Sequence, residues 1–130
     1  MIAEITDILL VDDEPAFHTD LVQEIEFSLA NRNLRTHYAA DGERALALYA
    51  AHPGIRLAIL DTELKPTNER GYEILDRLRE RGYKGPALGR SGKSGYQHQW
   101  KKRDATFLDK NARRSVFIDT LKRLLDSSNP

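Results

Sequence analysis

Three aspartates carry most of the chemistry this chain offers. Asp12 and Asp13 follow the apolar run Ile8-Leu-Leu-Val11, and Asp61 follows a second run, Leu57-Ala-Ile-Leu60. Two further runs lead to groups of a different kind: Pro86-Ala-Leu-Gly-Arg-Ser91 ends in a hydroxyl, and Ala105 to Leu108 leads to Lys110. Carboxylates gathered on one rim repel one another, and a hard divalent cation is the simplest remedy. Magnesium takes oxygen ligands, keeps several waters and also meets phosphate oxygens. A hydroxyl donates to a phosphoryl oxygen, and an ammonium neutralises its charge. A nucleophilic carboxylate, a metal, a hydroxyl and a lysine together make a workable set for in-line phosphoryl transfer.

These groups act together only if the chain brings the ends of the runs to one place. The short continuous apolar runs read as strands buried on both faces. Between them lie amphipathic stretches. Pro15 opens the first, with Phe17, Leu21, Ile25 and Leu29 at four-residue steps. Leu34 to Ala39 is a weaker strand. Asp41 caps a helix with Ala45, Leu46 and Tyr49 inside, stopped by Pro53-Gly54. Tyr72, Leu75 and Leu78 mark a third helix ending near Gly82, after a polar loop over 62–70. Tyr96 and Trp100 suggest a short polar helix, with core packing and partner anchoring equally open for both rings. Phe117, Ile118, Leu121, Leu124 and Leu125 give the last helix. Strand and helix alternate five times, which predicts an α/β chain with a parallel sheet covered on both sides. The expected solution is a flavodoxin-like (βα)5 doubly wound sandwich of strand order 2-1-3-4-5. Its crevice lies outside the carboxyl ends of strands 1 and 3, where Asp12, Asp13 and Asp61 fall.

Bulk properties narrow the classes. The 130 residues suffice for one domain, expected over 1–126 with 127–130 as a tail or the start of a linker. Lys plus Arg and Asp plus Glu both number 20, so nothing argues for direct nucleic-acid binding along a basic face. The absence of cysteine excludes disulfides and thiolate chemistry. No apolar run approaches the roughly 18 residues of a membrane span, and the N-terminus lacks a secretion signal, so a cytoplasmic location is expected. His18, His37, His52 and His98 show no metal-ligand spacing and read as surface or packing residues.

The motif set resembles the receiver domains of bacterial response regulators, the CheY-like family, over essentially the whole chain. Ile8-Leu-Leu-Val-Asp-Asp-Glu-Pro15 is similar to their opening, and Leu57-Ala-Ile-Leu-Asp61 to their phosphoacceptor strand. Pro86 through Ser91-Gly92 is similar to the strand carrying their switch hydroxyl, and Phe107-Leu-Asp-Lys110 to their aromatic and lysine. The resemblance implies that Asp61 takes a phosphoryl group from a sensor histidine kinase or phosphotransfer protein. It implies magnesium, or manganese in its place, held by Asp12, Asp13, Asp61 and the Glu63 backbone carbonyl. Ser91 and Lys110 would bind phosphoryl oxygens, and Ser91 and Phe107 would form the switch. Output would pass to a downstream protein target or a fused output domain, with a homodimer also open. No enzymatic activity beyond self-catalysed phosphotransfer and dephosphorylation is implied.

Three departures mark an atypical variety. Pro66 and Gly71 lie five and ten residues past Asp61, where most receivers have Pro and Gly four and eight past the acceptor. Asn111 stands where a proline is usual. Gly89 and Arg90 replace aliphatic residues on the fourth strand, and an arginine buried there needs a partner. Asn111 and Arg90 keep open a degenerate receiver that binds partners without phosphorylation; less favoured is a metal-dependent phosphatase with an aspartate nucleophile, suggested by the faint similarity of Asp61-Thr-Glu63 to an Asp-x-Asp motif. Glu63 and Lys93, each two residues beyond a site residue, are expected to meet above Asp61.

Overall fold

The computed structural model describes residues 4–127. The strands are β1 (Thr6–Val11), β2 (Leu34–Ala39), β3 (Leu57–Asp61), β4 (Glu63–Leu64), β5 (Glu69–Arg70), β6 (Ala87–Ser91) and β7 (Thr106–Asp109). The helices are α1 (Pro15–Ser28), α2 (Gly42–Ala51), α3 (Gly71–Glu80), α4 (Gln97–Lys101) and α5 (Arg114–Ser127), with 3-10 turns at Ala30–Arg32 and Ser94–Tyr96. Five strands form one parallel sheet in the order β2-β1-β3-β6-β7. With the small β4–β5 pair set aside, this is the expected 2-1-3-4-5 order.

Alternation along the strands divides the core. Ile8, Leu10, Leu57, Ile59 and Leu88 pack against Leu21 and Ile25 of α1, Leu29 just after it, and the apolar stripe of α5. Leu9, Val11, Ala58, Leu60 and Ala87 face α2, α3 and Trp100 of α4. Both faces are covered, which is why the strands read as unbroken apolar runs. The side chains of residues 15–18, Phe17 among them, lie outside the described part, as do residues 128–130 of the expected tail. Ser127, expected in that tail, is the last residue of α5. Asp41 caps α2 as expected, its Oδ1 accepting from the Arg44 N–H at 2.9 Å. No helix among the described residues is long and apolar enough to cross a membrane.

Two features differ from expectation. The segment after Asp61 is not a plain loop: Glu63↔Arg70 and Leu64↔Glu69 pair antiparallel. Glu69 fastens this hairpin outward, accepting from the Gly42 N–H at 3.0 Å at the start of α2 and pairing with Arg77 at 3.3 Å. A carboxylate at a helix N-terminus is favourably placed. The second feature is the fourth strand. A Cβ on Gly89 would come within 2.1 Å of Trp100 Cδ2, so the strand yields a side chain to admit the indole. Trp100 is fully buried, which settles its open reading in favour of the core, whereas Tyr96 is only half-buried against the same cluster.

Candidate functional site

The parallel register aligns the strand ends. Val11 pairs with Leu60, Asp61 with Arg90, and Ser91 with Asp109. One step further, Asp12, Asp13 and Lys110 leave their strands on the same rim. Carboxylate oxygens of Asp12, Asp13 and Asp61 lie within 4.8 Å of one another. Asp61 and Asp12 are buried, and Asp13 is half-buried. Asp13, Glu14, Asp61, Glu63, Lys65, Ser91, Gly92, Lys93 and Lys110 line a cleft of about 350 Å³.

Each carboxylate has its own setting. Asp61 Oδ1 accepts from the Thr62 N–H at 2.9 Å and pairs with Lys110 Nζ at 2.8 Å. Burial nevertheless pushes Asp61 up to about 6: the lysine works against that rise, and Asp12 and Asp13 add to it. Burial likewise raises Asp12, although its Oδ1 accepts from the Glu14 N–H at 2.8 Å. Asp13 Oδ2 accepts from the Lys65 N–H at 3.0 Å, so the inserted hairpin rests on the acidic rim. Buried like charges with one nearby ammonium form a rim short of positive charge, and hard oxygen donors in that state fit a divalent cation.

The remaining expected residues fall as follows. Ser91 is buried, and its Oγ accepts from the Lys93 N–H at 2.9 Å, which holds the hydroxyl at the cleft wall. The Lys110 N–H donates to the Ser91 carbonyl at 3.0 Å, tying the two strand ends together. Phe107 does not line the cleft; it packs, half-buried, against the cluster containing Trp100. Glu63 and Lys93 do meet at the mouth, Lys93 Nζ lying 3.0 Å from Glu63 Oε1. Lys93, and then the Tyr96 hydroxyl, hold Glu63 below its ordinary value. Asn111 uses an N–H that a proline would lack, donating to Asp109 Oδ1 at 2.7 Å to shape the turn at Lys110. The buried Arg90 guanidinium lies over the Phe117 ring at 4.9 Å; burial lowers its pKa, while Asp12 and Asp61 oppose that shift.

Sequence reasoning missed Thr62 and Lys65, and did not foresee the bond of the Tyr96 hydroxyl to Glu63. Lys65 acts through its backbone, which no side-chain pattern reports, and Thr62 matters only through partners distant in sequence. It also missed a pairing of histidines: ligand atoms of His37, His52 and Asp7 lie within 4.8 Å of one another. The two imidazoles stack, with centroids 4.0 Å apart, and Asp7 is already held by His37 and by Arg35 at 2.7 Å. With Asp7 so engaged and the two rings packed on one another, this cluster reads as packing on the edge strand β2.

No family model and no curated protein sequence matches the chain. Solved structures do. NtrX from Brucella abortus, in a complex with ATP, is 30% identical with a TM-score of 0.77, over 94% of this chain and 27% of that one. A probable two-component system response regulator/GGDEF domain protein is 25% identical with a TM-score of 0.80, over 96% and 51%. The non-phosphorylated HemR receiver domain from Leptospira biflexa, 22% identical with a TM-score of 0.76, is covered over 98% of its length, as is 96% of this chain. The chain thus spans about a quarter to a half of the larger regulators and nearly all of an isolated receiver. The resemblance to response-regulator receiver domains drawn from the motifs is borne out.

Proposed function

We propose that this chain is an active receiver whose Asp61 accepts a phosphoryl group from a sensor histidine kinase or phosphotransfer protein. The observation that carries this reading is Lys110 Nζ at 2.8 Å from a buried Asp61 carboxylate, within reach of two further aspartates. Asp61 supplies the nucleophile: with its pKa near 6, it is mostly ionised at neutral pH. Asp12, Asp13, Asp61 and the Glu63 carbonyl would hold magnesium or manganese, which when bound offsets the charge of the carboxylates and of the incoming phosphoryl oxygens. Lys110 meets a phosphoryl oxygen from one side and the Ser91 hydroxyl from another, so the transferred group is oriented by protein groups on three strand ends. The bond from phosphorus to the donor breaks as the bond to Asp61 forms. The role is that of a signalling switch in the cytoplasm, with residues 1–126 as its receiver. Its output is read by a downstream protein, a fused domain or a second copy.

One observation favours the degenerate alternative: the Lys65 N–H occupies Asp13 Oδ2, one of the oxygens a metal would use. Intact mass after incubation with acetyl phosphate separates the two. The active reading expects a single phosphoryl adduct on the wild type that needs magnesium and is absent from Asp61→Asn. Equal labelling of that variant would remove Asp61 as acceptor, and no labelling of either protein would leave the degenerate receiver.

A further inference from the structure

A chain of hydrogen bonds runs from the acceptor to α4 without passing through Ser91 or Phe107. The Thr62 N–H lies 2.9 Å from Asp61 Oδ1 and also 2.9 Å from the Arg90 carbonyl, so one donor is shared by two acceptors. The Thr62 hydroxyl donates to that same carbonyl at 2.7 Å. In turn it accepts from the Trp100 indole N–H at 2.9 Å. Thr62 and Trp100 are fully buried, and Arg90 and Asp61 nearly so. In such surroundings each bond is costly to leave unmade, so the chain moves as a unit or not at all.

The packing gives the chain a fixed seat. Trp100 lies against the bare backbone of Gly89, in the space a Cβ would occupy, and beside Gly71, whose own Cβ would meet the indole at 3.2 Å. Tyr72 meets the indole edge-on, with centroids 5.9 Å apart. The helix that carries Trp100 has only five residues; Gln97, His98 and Lys101 are exposed, and a second tether comes from Arg103, which donates to the Gln99 carbonyl at 2.8 Å and pairs with Asp76 of α3 at 2.9 Å. Trp100 is the buried anchor of α4, and its indole is bonded to the residue next to Asp61.

We infer that Trp100 is a positioning residue that ties α4 to the charge state of Asp61, with the Thr62 hydroxyl as the relay. The inference rests on the proposed acceptor role of Asp61. When Asp61 takes a phosphoryl group or is drawn to a metal, its Oδ1 becomes a poorer acceptor for the Thr62 N–H. That N–H then leans on the Arg90 carbonyl alone, and the peptide preceding Ser91 feels the change. The Thr62 hydroxyl bonds the same carbonyl, so the shift reaches the indole and moves α4 with it. A two-state element biased by a local charge change is what a switch requires. Here the bonded chain, and not adjacency alone, supplies the physical coupling.

Trp100 is the only tryptophan in the chain, so its emission reports the seat directly. The experiment follows that emission while magnesium and beryllofluoride are added to the full chain, beside intact-mass labelling by acetyl phosphate. The wild type is expected to label and to show a saturable change in emission. Thr62→Val, nearly the same size but without a hydroxyl, is expected to label while losing more than half of the emission change. Thr62→Ser, which keeps the hydroxyl, is expected to restore it. Amide exchange across 94–101 should follow the same order, which separates a relay from a merely structural threonine. Labelling with a silent tryptophan, or an undiminished change in Thr62→Val, overturns this inference alone. Failure of the wild type to label overturns the functional reading and this inference with it.

Discussion

Strand β1 carries a carboxylate near each end, and the two are treated in opposite ways. Asp7, at its start, is met by Arg35 at 2.7 Å and His37 at 2.8 Å, and the Arg35 hydrogen bond outweighs burial to hold it below the ordinary range. Asp12, just past the other end, is buried beside two more aspartates, and burial raises it. Four residues separate a carboxylate met by two basic side chains from one buried among like charges. A carboxylate matched by its own chain is held below its ordinary value; one buried beside like charges is raised, as groups at functional sites often are.

The largest test of that contrast is the stability of the metal-free protein. A rise from 3.8 to about 6 at Asp61 corresponds to roughly 3 kcal/mol against folding at neutral pH. Because the folded value lies above the unfolded one, the carboxyl's favourable contribution is full below pH 3.8 and is lost as pH rises through about 6. Asp61→Asn is therefore expected to stabilise the metal-free protein by about 1–3 kcal/mol at pH 7.5 in urea denaturation, the range allowing for the loss of Lys110's partner. The gain should shrink as pH falls through this window. A variant less stable than wild type at pH 7.5 would break the comparison at its rim end.

Magnesium should do by binding what the substitution does by deletion. At ten times its dissociation constant a ligand confined to the folded state stabilises by about 1.4 kcal/mol. Wild type is expected to gain that in thermal denaturation, and Asp12→Asn and Asp13→Asn to gain less at equal concentration. Equal gains in all three would place the ion elsewhere.

At the other end the sign reverses and the size falls. Asp7→Asn should destabilise, by less than about 1 kcal/mol, as for a partly exposed ion pair. The folded pKa of Asp7 is lowered, so its contribution is present above pH 3.8 and is lost as pH falls below that value. Denaturation curves from pH 7 down through the acid range check it: a difference between variant and wild type that keeps the same size throughout would show that packing, and not charge, is lost.

The rim was legible in the sequence because every member sits at the end of an apolar run, and parallel strands place run ends together. What could not be read has a different physical basis. Strands of two residues, as in β4 and β5, are too short to show alternation. Gly89 looked like a flaw in its strand until Trp100, eleven residues on, was seen to occupy the missing side chain's place. His37 and His52 meet only because a strand and the end of a helix converge, and no sequence spacing encodes that. Arg90 was rightly expected to need partners, but the Phe117 ring beneath it lies on a different element.

The smallest effect concerns the cleft mouth, where Glu63 and Lys93 pair within the same lining as Asp13 and Asp61. Lys93 Nζ lies 3.0 Å from Glu63 Oε1, and the lysine side chain is 71% exposed, so the pair adds little stability. Its expected role is steric, obstructing the line along which water attacks the phosphorus of phosphorylated Asp61. Since a tenfold rate change needs about 1.4 kcal/mol, a gate this weak should slow hydrolysis by about two- to fivefold. Glu63 is also bonded by the Tyr96 hydroxyl, whereas Lys93 sits on the exposed side of the pair. Removing Lys93 therefore leaves Glu63 held over the cleft, while removing Glu63 frees both partners. Glu63→Ala should speed loss of the phosphoryl group more than Lys93→Ala. The double variant should be no faster than Glu63→Ala, because one gate is lost once. Four autodephosphorylation rates, followed by intact mass after removal of acetyl phosphate, decide it. Multiplicative effects would mean that the two side chains act separately, and slower loss in either single variant would mean that water does not enter past them.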